Sequence, residues 1–357
     1  MANQADQAGP DPGKGGAFVS VLRRRWVLGG IAALVGLVLI GGGIYLGVSH
    51  SSGNAPKPPL ASSTPNPASP SPTNPIPTVN TLTGVGAPGH VLAVKIDNVG
   101  GAQYEQAGLD SADIVYVIQV EGGLSRYLAV FDSVNAPAQV GPVRSARQTD
   151  IPLLAAYGDI GFAYSGAISG LLPDLAAADL RSVTPADASA QFSNGGNDPT
   201  YISPAAVFAA YPDLAEEQDV GFRFGAEPAG GQAAASVSVS MPSASFAFTA
   251  AGDQWQVSVD GHQATTTDQG PTTADNVIVQ HVQIVPGEFT DHNAAEPANE
   301  VFSETTGAGA AEFYRDGEVW YGQWSKPTDT SPTAYTAGGV PMLLAPGRTW
   351  IVLDGGS

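Results

Sequence analysis

The sequence predicts an α/β domain followed by a mostly-β domain, both placed behind a single N-terminal transmembrane helix. Three observations support this fold class. An uncharged apolar run lies near the N-terminus, at residues 26–48. Between residues 82 and 230, apolar runs of strand length alternate with helix start signals, a pattern typical of α/β domains. From residue 231 to 357, alternating apolar residues and hairpin turn signals replace that pattern.

The apolar run at 26–48 is long enough to cross a bilayer. At 1.5 Å per residue a helix of this length spans about 34 Å, against a hydrocarbon core of about 30 Å. The Arg23–Arg25 cluster directly precedes the run, and the next basic residue is Lys57. The positive-inside bias therefore predicts a cytoplasmic tail at 1–25, a single pass through the plasma membrane and an extracytoplasmic location for the rest. A cleaved signal peptide is the alternative, but its apolar region is normally only about 7–15 residues long.

Residues 49–81 are predicted to form a stalk. Ser, Pro, Asn and Thr dominate this segment, and such a composition cannot bury enough apolar surface to fold. Because proline favours extended conformations, about 30 residues at about 3.1 Å each could reach roughly 90 Å from the membrane. The favoured interpretation of this stalk is a spacer that has no binding role.

The first folded domain, predicted at 82–230, contains near-continuous apolar runs, which are typical of strands covered on both faces. The runs that predict strands are Val91–Ile96, Asp113–Val120, Arg126–Phe131 and Ile160–Tyr164. Two helices are predicted from their start signals. Asp150 is expected to cap the first, which carries Pro152 in its first turn, and the second starts at Ser203–Pro204.

The second domain, predicted at 231–357, is expected to be mostly β. Apolar residues alternate with small or polar ones in its first part, as in strands with one exposed face. Asp260–Gly261 and Asp316–Gly317 are typical of tight hairpin turns. Asn276–Val285 and Thr349–Leu353 are further predicted strands.

Charge is distributed unevenly along the chain. Of the 14 basic and 33 acidic residues, nine basic and 31 acidic ones follow residue 80, a formal charge of −22 for that part. So acidic a surface repels phosphate backbones, which argues against nucleic-acid partners. The chain has no cysteine, which excludes disulfides, thiolate metal sites and a lipidated cysteine. Because neither a phosphate loop nor a dinucleotide-binding fingerprint occurs, no cofactor is predicted.

The segment Gly141–Asp150 is the most unusual part of the sequence. It places Arg144, Ser145 and Arg147 directly before a predicted helix. Guanidinium groups beside free backbone N–H groups can hold an oxyanion, so this segment is a candidate anion-binding site. The alternative is that these arginines, with Arg126, neutralise nearby carboxylates. The carboxylates considered for that role are Asp97, Asp113, Glu121 and Asp132.

Catalytic chemistry has less support. Glu121 follows an apolar strand and precedes two glycines, where a carboxylate could act as a general base, hold a metal or simply pair with a cation in a turn. Ser145 and Ser165 lie in predicted loops. However, the G-x-S-x-G pattern of a nucleophile elbow is absent, and no histidine occurs between residues 91 and 261.

One group of residues has some metal-ligand character. His281, Glu288 and the pair Asp291–His292 lie close together in the sequence. Their spacing fits no zinc signature, so no metal site is predicted.

The chain resembles the YerB-like proteins, a family of bacterial envelope proteins built from paired domains of unknown function. The first half resembles the family's N-terminal domain at Asn98, Gly108–Asp110, Ala112–Tyr116, Glu121–Gly122, Arg126 and, above all, Val140–Arg147. The second half resembles the partner domain at Ala274–Val279, Phe313–Gly317, Trp324, Leu344–Gly347 and Thr349–Trp350. The resemblance covers about residues 82–354 and implies the two-domain architecture and an envelope location.

Two departures from the family's pattern bear on function. Many relatives resemble lipoproteins held by an N-terminal lipidated cysteine, whereas this chain has the apolar run at 26–48. Relatives also tend to carry a Pro-His-Asn-Tyr-like element, and Asp198–Tyr201 lacks that histidine. This difference weakens any acid–base role at that position, and the resemblance itself implies no reaction.

The sequence therefore predicts a membrane-anchored envelope protein of uncharacterised activity that binds an anionic cell-wall component or a partner protein. The candidate ligand-binding residues are Asn98, Glu121, Arg126, Arg144, Ser145 and Arg147. The alternative is an envelope hydrolase or transferase that acts on a phosphate- or carboxylate-bearing glycan. In that case Glu121 would be the base, the arginines would stabilise charge in the transition state, and all of them should lie in one cleft.

Overall fold

The computed structural model describes residues 77–194, 200–291 and 297–356. The predicted cytoplasmic tail, the predicted transmembrane helix and nearly all of the predicted stalk lie outside these residues. Within the described ranges, no helix is both long and apolar enough to cross a membrane.

In the described part of residues 77–230, seven strands are mixed with short helices. The strands are β1 (Val91–Asp97), β2 (Ile114–Gln119), β3 (Ser125–Asp132), β4 (Ile160–Ala163), β5 (Leu180–Val183), β6 (Phe192–Asn194) and β7 (Thr200–Ile202). The α-helices are α1 (Asp150–Leu154), α2 (Leu172–Ala177) and α3 (Pro204–Ala210). Short 3-10 turns occur at Gly100–Tyr104, Leu109–Ser111, Glu121–Gly123, Ala155–Tyr157, Ser169–Leu171 and Ser189–Gln191. The predicted α/β character of this half is confirmed.

The described residues after 230 contain strands and no α-helix. The first eight strands are β8 (Gln232–Ala233), β9 (Ser236–Met241), β10 (Ala244–Ala251), β11 (Gln254–Val259), β12 (His262–Gln263), β13 (Thr265–Thr266), β14 (Gly270–Pro271) and β15 (Thr273–Ala274). The remaining strands are β16 (Asn276–His281), β17 (Ile284–Asp291), β18 (Ala298–Ser303), β19 (Gly307–Arg315), β20 (Glu318–Lys326), β21 (Ala334–Ala337), β22 (Val340–Pro341) and β23 (Thr349–Asp354). The predicted mostly-β character of this half is also confirmed.

One large sheet runs through both halves of the described chain. Its order is β22-β21-β20-β19-β16-β23-β2-β3-β1-β4-β5, with β8 beside β20. The halves meet at β23, which lies between β16 and β2 and is parallel to both. Thr349 is the register partner of Asn276 on one side and of Ile114 on the other. Backbone hydrogen bonds therefore cross the predicted boundary at residues 230 and 231.

Both faces of this sheet are covered, as the continuous apolar runs predict. Successive side chains of a strand point to opposite faces. In β1, Leu92 and Val94 join a core with the sheet formed by β9, β10, β11, β12 and β15. Val91 and Ala93 join the opposite core, where α1 and α2 pack. The large sheet is thus the middle layer of the fold.

Two local predictions differ from the structure. Asp150 is the first residue of α1 and not its N-cap; the N-cap position is Thr149, whose side chain makes no capping hydrogen bond. The predicted strand Asn276–Val285 is two strands. β16 ends at His281, where its pairing with β23 ends, and β17 turns away to form a hairpin with β18.

Candidate functional site

The segment 141–147 lies along the C-terminal end of β1. The N–H of Asp97 donates to Pro142 O at 2.8 Å, and the N–H of Arg144 donates to Lys95 O at 2.8 Å. On its other side, Ser165 N donates to Arg144 O at 3.0 Å. These backbone hydrogen bonds fix the position of Arg144 at the C-terminal end of β1.

Asp97, the last residue of β1, contacts two of the predicted site arginines. It lies opposite Arg126 of β3 in the strand register. Asp97 Oδ1 is 3.2 Å from Arg126 Nη1, and Asp97 Oδ2 is 3.1 Å from Arg144 Nε. Burial lowers the pKa of Arg126, and the negative charge of Asp97 opposes this decrease. The Arg144 side chain is 55% exposed, so its guanidinium is the accessible one of the two.

Arg147 lies between two carboxylates. Its Nε is 2.6 Å from Glu121 Oε1 and 3.9 Å from Glu300 Oε1. The Nε has no hydrogen-bond geometry toward any described acceptor, so these contacts are ion pairs. The Arg147 and Glu121 side chains are both mostly buried. A ligand would therefore reach Arg147 only after displacing one of its carboxylates.

A buried ion pair stabilises the segment 141–147. Lys95 Nζ lies 2.6 Å from Asp150 Oδ1, and both side chains are 0% exposed. The other oxygen of Asp150 accepts a hydrogen bond from Arg147 N at 2.7 Å. Burial lowers the pKa of Lys95, and the Asp150 carboxylate opposes that shift. The pair thus anchors the backbone that carries Arg147.

Glu300 of β18 belongs to the site, although no pattern in the sequence indicates it. Its side chain is 0% exposed, and its Oε1 accepts a hydrogen bond from Gln148 N at 2.8 Å. Its Oε2 has no hydrogen-bond partner among the described residues. Burial raises the pKa of Glu300 to about 7, against the opposing effects of Gln148 N–H and Arg147. No local pattern marks this residue, because the β17–β18 hairpin brings it from 152 positions away.

The buried Glu300 carboxyl predicts a pH dependence of stability. In the folded protein its pKa is about 7, above the ordinary 4.5, so the folded state binds this proton more tightly than the unfolded state. The protonated carboxyl therefore adds at most about 3 kcal/mol to the free energy of unfolding. This stabilisation is fully present below about pH 4.5 and is lost as pH rises through 7. We expect Glu300→Gln to gain stability relative to the wild type between pH 5 and pH 8 in urea unfolding. Glu288→Gln, an exposed change on the same hairpin, should show no such gain; equal pH profiles for all three proteins would contradict the prediction.

The remaining two predicted residues differ in accessibility. Asn98 is 2% exposed, and its Nδ2 donates to Ser125 Oγ at 2.7 Å, so it ties the end of β1 to the start of β3. Ser145 is half-buried, and no hydrogen bond of its side chain occurs within the described chain. Glu121 and the three arginines thus lie together, whereas Asn98 is part of the scaffold beneath them.

The arginines have carboxylate partners, as the alternative interpretation of the sequence proposes. Asp97 and Glu121 are two of the four carboxylates considered there. Asp113 and Asp132 lie at the opposite end of the strands, where Asp113 Oδ2 accepts from Asp132 N at 2.7 Å. Neutralisation and ligand binding are compatible at Arg144, because its side chain is more than half exposed and makes no side-chain hydrogen bond within the described residues.

A groove of about 550 Å³ opens beside Glu300. Its lining includes Gln119, Asn299, Glu300 and Asp354, with apolar residues of β17. Gln119 and Asp354 are the last residues of the parallel strands β2 and β23. Open α/β sheets place their ligands in crevices beyond the carboxyl ends of such strands.

The residues with metal-ligand character contact other partners. His281 Nδ1 is 3.0 Å from Asp354 Oδ2, and its Nε2 is 3.6 Å from Glu312 Oε1. His292 lies outside the described residues. Within the described ranges, no group of three or more His, Asp or Glu side chains is placed to hold a metal ion.

Comparisons with known proteins add a family relation. Residues 82–220 match the family described as protein of unknown function (DUF3048) N-terminal domain, and residues 235–351 match its C-terminal domain. A relative named "Putative lipoprotein YerB", from Bacillus subtilis, is 42% identical over 69 residues, which are 19% of this chain and 20% of the relative. The match thus spans about a fifth of that relative's length.

A solved structure shares the fold. The crystal structure of YerB from Bacillus subtilis superposes with a TM-score of 0.66, covering 78% of this chain and 97% of that one. The sequence identity over this match is 20%. The similarity therefore shows a common fold and carries no information about ligands.

Proposed function

The chain belongs to the YerB-like family of paired DUF3048 domains, and from this premise we propose that it is a membrane-anchored extracytoplasmic protein that binds an anionic cell-envelope polymer at Arg144. A polymer that carries phosphate or carboxylate groups offers the oxygen acceptors that a guanidinium binds best. A partner protein is the other occupant that the test below distinguishes.

Two observations support an envelope location. The Bacillus subtilis relative carries the word lipoprotein in its name, which describes a protein held at a membrane. This chain has no cysteine to lipidate, but it has the uncharged run at 26–48 behind Arg23–Arg25. We assign the anchoring role to that run, with the N-terminus in the cytoplasm.

The exposed guanidinium of Arg144 carries the binding proposal. Asp97 Oδ2 lies 3.1 Å from the Nε of Arg144, so the guanidinium is paired on one side, and its two Nη groups are available for a bidentate contact. Arg126 interacts electrostatically with both Arg144 and Arg147, so the three arginines form one cluster. The chain after residue 80 is strongly acidic, so most of its surface repels an anion, and the exposed guanidinium of Arg144 is one of its few accessible cationic groups.

Retention on wall polymers tests the proposal. The purified full chain, in detergent, is passed over immobilised anionic and neutral wall-polymer fractions, and bound protein is measured as salt is raised. Because hydrogen bonds to charged groups contribute about 1.5–3 kcal/mol, Arg144→Ala should weaken retention on the anionic fraction by roughly 10- to 100-fold. Its free energy of unfolding should change by less than about 0.5 kcal/mol, since the side chain is exposed.

Arg181→Ala is the matched control. Arg181 is also partly exposed and pairs with Asp213 at 3.3 Å, but it lies away from the cluster, on β5. It should retain wild-type binding. Equal retention of the Arg144 and Arg181 variants would exclude Arg144 as the binding residue, and retention only by envelope protein fractions would favour a partner protein.

A second candidate function is an envelope hydrolase or transferase acting on a phosphate- or carboxylate-bearing glycan. The observation that favours it is Glu300, whose pKa of about 7 suits proton transfer near neutral pH and which shares Arg147 with Glu121. In this case Glu300→Gln should abolish release of soluble fragments from the polymer while retention persists. If the wild type releases no fragments over long incubation, the enzyme hypothesis is excluded for that polymer.

A further inference from the structure

Strand β9 lies at the edge of the smaller sheet and is unprotected there. Within the described chain it pairs with β10 alone, and their register runs from Ser236 to Met241 without a bulge. Natural edge strands usually carry charged residues, prolines or bulges that prevent pairing with another chain. The six residues of β9 read Ser-Val-Ser-Val-Ser-Met. None of these protective features is present, so the edge can accept a further strand.

The hydrogen-bond pattern shows which groups of β9 face outward. In an antiparallel pair, every second residue bonds to the partner strand, and the residues between point their N–H and C=O groups away from it. Ala250 N donates to Ala235 O at 2.9 Å, so the odd-numbered residues of β9 bond to β10. The backbone groups of Ser236, Ser238 and Ser240 therefore form an open edge, and they make no hydrogen bond within the described residues.

A groove lies at the C-terminal end of this open edge. It is the groove of about 550 Å³ beside Glu300, a volume within the range of about 300–1,000 Å³ that is typical of ligand sites. Residues 240–242 at the end of β9 line it, together with residues 284–286 of β17 and 299–301 of β18. Because Ser240 belongs to the open edge and also lines the groove, the two features form one surface.

The groove combines apolar side chains with negative charge. Its ionisable residues are Glu300, which is buried, and Asp354, whose side chain is 16% exposed. Asp354 contacts His281 Nδ1 at 3.0 Å and accepts from Gly356 N at 3.1 Å, which leaves room for another donor on its carboxylate. Among the described residues, no lysine or arginine lines the groove, so it attracts a cation. Its apolar residues are Met241, Pro242, Ile284, Val285, Pro286 and Val301.

We propose that the open edge of β9 and this groove bind an extended segment of a partner protein, one that carries apolar residues at alternate positions and at least one lysine or arginine. Backbone hydrogen bonds to Ser238 and Ser240 supply affinity, as in other proteins that add a peptide strand to an exposed sheet edge. Alternate side chains of the segment pack in the groove, and the basic one pairs with Asp354. Arg144 does not line the groove, so the proposal is independent of polymer binding.

Selection from a displayed library of random eight-residue peptides, on the purified full chain in detergent, tests this proposal. We expect enriched peptides to alternate apolar residues with others and to carry a lysine or arginine. Their dissociation constants are then measured for the wild type, Ser240→Lys and Ser240→Glu. Because Ser240 is exposed, both variants should keep the wild-type unfolding midpoint. Ser240→Lys should bind at least about tenfold more weakly than Ser240→Glu, since only the lysine repels the basic peptide.

Gln256→Lys is the matched control. Gln256 is exposed on the same outer face of the sheet, but it lies on β11, an interior strand. Its new charge should leave peptide binding at the wild-type level. Failure to enrich any peptide would overturn the proposal. Equal affinities of Ser240→Lys and Ser240→Glu, or an equal loss in Gln256→Lys, would overturn it as well.

Backbone methylation distinguishes strand addition from packing in the groove alone. N-methylation of every second residue removes the donors along one side of an extended peptide. Of two peptides methylated in alternate phases, one should lose at least about tenfold in affinity while the other binds as before. Equal affinities of the two would exclude backbone pairing and overturn the proposal. Sedimentation of the wild type in detergent tests a second copy as the occupant, since a dimer that Ser240→Lys dissociates would overturn binding of a partner segment.

Discussion

Replacing Asp150 by alanine is expected to lower the free energy of unfolding by about 3–5 kcal/mol, the usual cost of removing one partner of a buried ion pair. Lys95 and Asp150 are both 0% exposed and lie 2.6 Å apart. The variant leaves the Lys95 ammonium buried without a counter-charge. It also removes the acceptor of the Arg147 N–H, so the segment that carries the site arginines loses its support.

Chemical unfolding at neutral pH measures this effect, and an exposed ion pair serves as the control. Asp219 and Arg223 are about half exposed, so Asp219→Ala should cost less than about 1 kcal/mol. The double change Lys95→Met with Asp150→Leu should recover much of the loss, because it removes both charges. A cost below about 1 kcal/mol for Asp150→Ala would contradict the role assigned to the pair.

Trp350→Ala is expected to destabilise the protein by about 3–5 kcal/mol and to weaken both halves together. Trp350 is 2% exposed and lies on β23, the strand that joins the two halves of the sheet. Its ring contacts Tyr127 of the first half at 5.3 Å between centroids and Phe248 of the second half at 5.8 Å. Removing the indole therefore leaves a cavity between elements from both sides of the predicted boundary.

Hydrogen exchange during urea unfolding tests this coupling. Amides of β1 and β16 should lose protection in one transition at a lower urea concentration than in the wild type. Tyr321→Ala, at an exposed position, should shift the midpoint little. If β1 amides stay protected after those of β16 exchange, the halves unfold independently and the expectation of one cooperative unit is wrong.

Much of the local structure could be predicted because its signals are local. The apolar runs place β1, β2 and β3 to within one or two residues. Ser203 caps α3 with its hydroxyl, as its position before Pro204 predicts. Asp316 and Gly317 both have positive φ between β19 and β20, which is the turn chemistry that their side chains favour.

The candidate site was only partly predictable. The cluster of basic residues in an acidic chain indicates Arg126, Arg144 and Arg147, and the place of Glu121 after a strand indicates that residue. Neither signal indicates the buried charges that surround Arg147. Lys95 reads as part of an apolar strand, and Glu300 lies in a hairpin without any sequence signature. Which carboxylate each arginine contacts depends on distances between elements, which no local pattern encodes.

The sequence by itself determined the class of each half, the candidate membrane anchor, the family and the arginine cluster, since these depend on composition, periodicity and short motifs. Only the tertiary structure decided that β23 enters the sheet between β2 and β16, and that Glu300 lies beside Arg147. The reason is physical: backbone pairing between parallel strands is nearly independent of side-chain identity, so Thr349 and Ile114, more than 200 residues apart, carry no mutual signal. Only packing of the complete chain selects such a pairing.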